Sequence, residues 1–159
     1  MAFISHHCPF TRHILPAFIE MVRVYKPRGL TVVAINANDP DQHAEDSPEQ
    51  MAQAAEDLDL PFPFLIDADQ TVAQAYQAAC TPDFFLYDGD RNLSYRGRFD
   101  DSRPDNDEPV SGDQLEAAIQ AALAGETPAR PQKPSVGCNI KWKPGNEPAY
   151  FQEQERKRA

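Results

Sequence analysis

Short apolar runs alternate with helical patterns along most of the chain. Phe3-Ile4 is a stub of strand, and Leu30 to Asn36 is a continuous, β-branched apolar run of the kind buried on both faces of a parallel sheet. Between them Ile14, Phe18, Met21, Val22 and Tyr25 recur at helical spacing. A helix is therefore predicted to begin near Pro9, to bend at Pro16 and to end at Lys26-Pro27-Arg28-Gly29. A polar loop at Asn38 to Asp41 leads to Ser47-Pro48-Glu49-Gln50, where Ser47 is the expected N-cap, Pro48 the first helical residue and Gln50 the partner in a capping box. That second helix should reach about Leu58.

Phe62 to Asp67 reads as a strand whose proline favours a sheet edge, and Val72 to Tyr76 as a short helix. Asp83 to Asp88, the turn Gly89 to Asn92, and Leu93 to Phe99 form a β-hairpin. Leu115, Ile119, Ala122 and Leu123 line one face of a last helix from Asp113 to Leu123, with Gly125 past its end. Beyond it, Pro128, Pro131, Pro134, Pro144 and Pro148 exclude long regular elements. Residues 1–125 thus read as one α/β domain, 126–145 as a Pro-rich tail docked through Val136 to Trp142, and 146–159 as a disordered end.

Composition narrows the partners. At 159 residues the chain can bury one core, and it carries no apolar run of the ~18 residues that a membrane span needs. Its 15 Lys+Arg against 25 Asp+Glu give a net charge of −10, opposite to the field that a phosphate backbone selects, despite the basic Arg156-Lys157-Arg158. Neither a membrane nor a nucleic acid is the expected partner. Three cysteines, Cys8, Cys80 and Cys138, are too few for a disulfide scaffold, and the odd count suits a reducing compartment. With no signal-peptide pattern at Met1 to Pro9, the cytoplasm is the expected location.

The stretch Ser5-His6-His7-Cys8-Pro9 lies between a strand and a helix. A cysteine in the first helical turn faces unpaired N–H groups and the positive end of the helix dipole, which favours thiolate. A small buried cysteine accounts for the residue type equally well. His6, His7 and Cys8 do not have the spacing of zinc ligands, so no metal and no other cofactor is expected. Cys80-Thr81-Pro82, entering a strand, is a place where a cis peptide bond is tolerated, although an ordinary trans turn is commoner. The acidic run from Asp100 to Glu108 reads as a solvated loop, and Trp142 as an anchor for the tail.

The order strand, cysteine motif, helix, strand, helix, strand, helix, Thr-Pro, hairpin, helix resembles the thioredoxin fold in its peroxiredoxin-like version. Within it, HHCPFTRHILPAF, VVAINANDP, EDSPEQM, ACTPDFFLYD, YRGRFDDSRP and PSVGCNIKWK, spread over residues 6 to 143, are similar to the alkyl hydroperoxide reductase/thiol-specific antioxidant (redoxin) group. The resemblance implies a central mixed sheet flanked by helices, with strand order Phe64–Asp67, Leu30–Asn36, Phe3–Ser5, Asp83–Tyr87, Leu93–Arg98. It also implies an antioxidant, redox-homeostasis role: reduction of a peroxide or disulfide substrate at Cys8, with regeneration by a thiol reductant, either a thioredoxin-like protein or a small thiol.

Members of this group typically carry Cys-x-x-Cys where this chain has Ser5-His6-His7-Cys8, so dithiol exchange inside the motif is ruled out. Ser-x-x-Cys resembles instead the peroxiredoxin arrangement, in which Ser5 would hold the peroxide while Cys8 attacks and becomes sulfenic acid. The arginine expected against that thiolate has only Arg12 and Arg98 as stand-ins. His6, His7, Pro9, Thr81 and Pro82 are the implied neighbours of the site. Cys80, on the loop that faces the motif, and Cys138, on the tail, are candidate resolving thiols, each weighed below a plain structural role. The alternative reading is a redox-inactive binding module that keeps the peptide-docking surface at Thr81-Pro82. Since the chain starts within what the resemblance makes a central strand, an uncovered sheet face and a homodimer are expected.

Overall fold

The computed structural model describes residues 1–151; residues 152–159, including Arg156-Lys157-Arg158 and most of the end expected to be disordered, lie outside the described residues. The main sheet has five strands: β1 (Ala2–Phe3), β2 (Ala34–Asn36), β3 (Phe64–Ile66), β5 (Asp83–Tyr87) and β6 (Leu93–Gly97). Their order is β3-β2-β1-β5-β6, as the resemblance implies. β1 runs parallel to β2 and antiparallel to β5, with Phe3 opposite Ile35 on one side and Asp83 on the other. The apolar run from Leu30 yields a ladder only at Ala34–Asn36, where β3 pairs with all three residues and β1 with Ala34 and Ile35.

Successive residues of a strand face opposite layers, and the burial follows that alternation. Ala2 and Phe84 enter the core on one face of the sheet, while Phe3 and Phe85 enter the core on the other. The first face is covered by α1 (Pro9–Tyr25) and α4 (Asp113–Leu123). Ile14, Leu15, Phe18, Ile19, Val22 and Tyr25 give α1 a buried stripe at the helical period. The helix runs through Pro16 uninterrupted. Pro16 is exposed, as is Arg12, whose carbonyl loses its helical donor to the proline on the solvent-facing side of the helix. A 3₁₀ turn at Lys26–Arg28 and Gly29 at φ 109° end it. α2 (Pro48–Asp57) starts at Ser47, whose hydroxyl accepts from Gln50 N–H at 3.4 Å. Only this half of the expected capping box forms, since Ser47 N–H is taken by the Ala44 carbonyl at 3.1 Å.

On the second face the tail replaces a helix. Ile140 and Trp142 are buried against Phe3, Ile35 and Phe85, beside α3 (Thr71–Tyr76). Gln70, fully buried, fixes this segment by donating to the carbonyls of Ala37 and Lys141 and accepting from Lys143 N–H. The end expected to fray from Glu147 onward is tied down as far as Phe151: Tyr150 donates to the Ala78 carbonyl at 2.9 Å, and its ring and that of Phe151 pack on Trp142. Their aromatic area outweighs the proline-rich composition. The acidic loop also departs from expectation, because Asp100 is buried and accepts from the N–H groups of Ser102, Ser111 and Gly112, setting the entry to α4. No helix among the described residues is long and apolar enough to cross a membrane.

Candidate functional site

Cys8 is the N-cap of α1, held in extended backbone geometry with Pro9 as the first helical residue. A tight turn precedes it, closed by Cys8 N–H donating to the Ser5 carbonyl at 3.1 Å. The side chain is buried, 2% exposed, and points away from solvent toward β4 (Cys80–Thr81). Its sulfur lies 3.2 Å from the Thr81 carbonyl oxygen and 2.9 Å from the sulfur of Cys138. The Thr81–Pro82 peptide bond is cis.

Cys138 arrives on β7 (Cys138–Asn139), which pairs antiparallel with β4 in a separate two-stranded sheet, Thr81 opposite Cys138. The close approach depends on Gly137, where a Cβ would stand 2.0 Å from the Thr81 carbonyl oxygen and 2.7 Å from its carbon. Both atoms are backbone and cannot yield. Gly137→Ala is therefore expected to lift β7 and part the two sulfurs, slowing oxidation of the pair by about tenfold or more, as misplacement of reacting atoms by ~1 Å does elsewhere. Timed alkylation during mild oxidation measures this, and a variant that oxidises at the wild-type rate would show that the strand need not sit where it does.

The two thiols hold their protons differently. Burial pushes the Cys8 thiol up, but the contact with the Cys138 thiol and the backbone N–H groups of Thr11 and Cys138 are among the interactions that outweigh it, and the net shift is downward. Cys138 moves up to about 11, first through burial and then because its proton serves the Cys8 sulfur. The two shifts have opposite signs, so Cys8 is the member of the pair that gives up its proton more readily. Neither candidate arginine takes part in it: Arg12 is exposed on α1, and the Arg98 guanidinium is occupied by the Pro134 carbonyl and Asp101.

Ser5 belongs to a different constellation. Its fully buried hydroxyl donates to Asp46 Oδ1 at 2.9 Å and lies 3.1 Å from His7 Nδ1; among the described residues no hydrogen bond joins it to the Cys8 sulfur. Asp46, buried at the end of the 3₁₀ turn Ala44–Asp46, also accepts from Asn36 and Asn38 side-chain amides at 2.5 and 3.0 Å. His7 stacks on His43, and His6 packs edge-on against Phe64 with its pKa lowered, burial being the main cause. Sequence reasoning missed Asp46, Asn36 and Asn38 as a cluster, since local pattern puts Asn36 at a strand end and Asn38 in a polar loop. No group of three or more His, Cys, Asp or Glu among the described residues is placed to hold a metal ion. Cys80, next to Thr81 on β4, faces the other way, its sulfur 3.7 Å from the Pro82 carbonyl oxygen.

Behind β4 a cavity of about 420 Å³ is lined by Cys80, Asp83, Arg96 and Ser135. Asp83 is buried; burial raises its pKa from 3.8 to about 6, opposed by the Ser135 hydroxyl at 2.7 Å and the Arg96 charge at 3.8 Å. Between those pH values the folded chain keeps a proton that the unfolded chain has released. Stability is thus full below about pH 4 and falls as pH rises through about 6, by roughly 3 kcal/mol at ~1.4 kcal/mol per pKa unit. Asp83→Asn is expected to flatten that fall. Urea unfolding of both proteins between about pH 4 and 7 tests it, and parallel pH profiles would refute it.

The sequence model of the AhpC/TSA family matches residues 1–96. Among solved structures, an uncharacterized conserved protein from Geobacillus kaustophilus is 51% identical, with 91% of this chain and 76% of that one covered and a TM-score of 0.88. A hypothetical protein from Sinorhizobium meliloti is 49% identical over 91% of this chain and 79% of its own, with a TM-score of 0.89. The oxidized form of a thioredoxin-like protein shares the fold at 20% identity, a TM-score of 0.60 and coverage of 79% and 78%. None of the curated proteins compared with the chain matches it. The chain belongs to the AhpC/TSA family and is a thioredoxin-like redoxin of the peroxiredoxin-like group, with a role in thiol redox chemistry.

Proposed function

We propose that the protein is a thiol–disulfide oxidoreductase whose working pair is Cys8 and Cys138. The observation that carries this reading is the 2.9 Å approach of the two sulfurs, with the Cys8 thiol shifted down and the Cys138 thiol shifted up by their contact. In the working cycle the two thiols give up two electrons and two protons to form one disulfide, and a disulfide substrate takes them up to become two thiols. An external thiol reductant, a thioredoxin-like protein or a small thiol, then regenerates the pair by exchange. Cys138 thus supplies in space the second thiol that Ser5 lacks in sequence.

Disulfide exchange is favoured over peroxide reduction because, among the described residues, no arginine is hydrogen-bonded to the Cys8 sulfur, and Ser5 is occupied by Asp46. A redox-inactive binding module is disfavoured for a separate reason. The edge of β4 at Thr81, the surface such a module would offer to a peptide, is paired with the chain's own β7. The test is oxidation in a buffer of oxidised and reduced glutathione, followed by alkylation and peptide mapping. The expected product links Cys8 to Cys138 and leaves Cys80 as a thiol. Peptides in which Cys8 and Cys138 remain thiols under oxidising poise, or in which Cys8 pairs elsewhere, would overturn the reading. Faster oxidation by hydrogen peroxide than by disulfide would move the substrate to the peroxide class.

A further inference from the structure

We infer that a partner's sulfur bonds to Cys138 and not to Cys8, so that the tail cysteine is the entry point of exchange and Cys8 is the leaving and resolving thiol. This rests on the pair proposed above and assigns its two members distinct roles. Exchange at a disulfide proceeds by in-line attack, the incoming sulfur approaching from the side opposite the bond that breaks. For attack on Cys8 the way is closed by protein: the residue is 2% exposed, and its sulfur is in contact with the Thr81 carbonyl on β4 and with Cys138 on β7. Cys138, on β7, is only half-buried, which makes it the member of the pair open to an approaching thiolate. Lys141, close enough to act on that sulfur, places a positive charge there on a chain whose net charge is −10.

The bond changes balance in two steps. A partner thiolate attacks the Cys138 sulfur, the Cys138–Cys8 bond breaks, and Cys8 leaves as a thiolate that the backbone N–H groups of Thr11 and Cys138 stabilise. The partner's second thiolate then attacks its own sulfur in the mixed disulfide and releases Cys138, which takes a proton. A partner dithiol has become a disulfide, and the protein disulfide a dithiol; the reverse sequence reduces a partner disulfide through the same mixed species. The low-pKa sulfur is the one that leaves, which is the faster order of events.

The experiment begins with the oxidised wild-type protein, whose Cys8–Cys138 linkage is first verified by mapping; its absence would remove the underlying pair and this assignment with it. Glutathione is then added, the mixture is acid-quenched at intervals, and free thiols are alkylated before mapping. The expected adduct carries glutathione on Cys138 and alkylated Cys8, in at least tenfold excess over the converse. A second measurement does not depend on the lifetime of that adduct. With dithiobis(nitrobenzoate) as probe, Cys8→Ser is expected to react at Cys138 at least tenfold faster than Cys138→Ser reacts at Cys8. Adducts on Cys8, or equal or inverted rates in the two variants, would overturn the assignment while leaving the disulfide pair intact.

Discussion

Cys138→Ser is expected to abolish the intramolecular disulfide and to slow turnover of a small disulfide substrate by a factor of about 100 or more. The size follows from what the second thiol supplies. A thiol held 2.9 Å from its partner reacts as an intramolecular group, and such groups act with effective molarities far above any millimolar thiol in solution. Serine keeps the size and a donor, so β7 should stay paired with β4 and the loss should be one of chemistry. Cys138→Ala separates a further effect. Without any donor at that position the Cys8 thiol should titrate higher than in Cys138→Ser, since the hydrogen bond from residue 138 is among the interactions that hold it down. Cys80→Ser, whose sulfur faces the Pro82 carbonyl on the opposite side of β4, is expected to turn over at the wild-type rate. Steady-state assays with reduced thiol in excess measure all three, and a Cys138→Ser protein that retains the wild-type rate would show that Cys8 works alone.

The strand order and the two long helices were legible because the chain punctuates them. Pro9 and Gly29 bracket α1, Gly112 and Gly125 bracket α4, and the β-branched runs between them suit only a buried sheet. Cys8 was legible too, as a cysteine at a helix start. Its partner was not, because the two sulfurs are 130 positions apart and meet only after a proline-rich tail has folded back across the second face of the sheet. Local pattern carries no information about such a closure; the nearest signal was Gly137 beside Cys138, a glycine with no turn to make. Burial of Cys8 reverses another expectation, since a helix N-terminus suggests an accessible nucleophile and the tail strand covers it. Asp46, Asn36, Asn38 and Asp100 share one reason for having been missed: each is a polar residue whose burial is decided by hydrogen-bond partners several to a dozen positions away, beyond the reach of local pattern.

Asp46→Ala is expected to cost about 3–5 kcal/mol of stability, the range for removing one member of a buried charged network. Asp46 is 2% exposed, and its two oxygens accept from Ser5 Oγ, Asn36 Nδ2 and Asn38 Nδ2, with His7 Nδ1 at 3.3 Å. Alanine leaves those donors inside the protein without an acceptor, and each unsatisfied group costs about 1–3 kcal/mol. The three donors come from the turn before α1 and from the end of β2 and the loop after it, so the carboxylate joins segments that hold the Cys8 turn to the sheet. Asp46→Asn keeps the shape and one accepting oxygen but turns an amide toward one donor, for an expected loss of about 1–3 kcal/mol. Ser5→Ala removes a single donor from an acceptor that keeps its other partners, and about 1 kcal/mol is expected. Urea midpoints at constant slope give the three values, and the order Asp46→Ala, Asp46→Asn, Ser5→Ala is the signature of a shared acceptor. An Asp46→Ala protein within about 0.5 kcal/mol of wild type, the range of an ordinary surface substitution, would show that water or rearranged side chains satisfy those donors and that the network does not anchor the site.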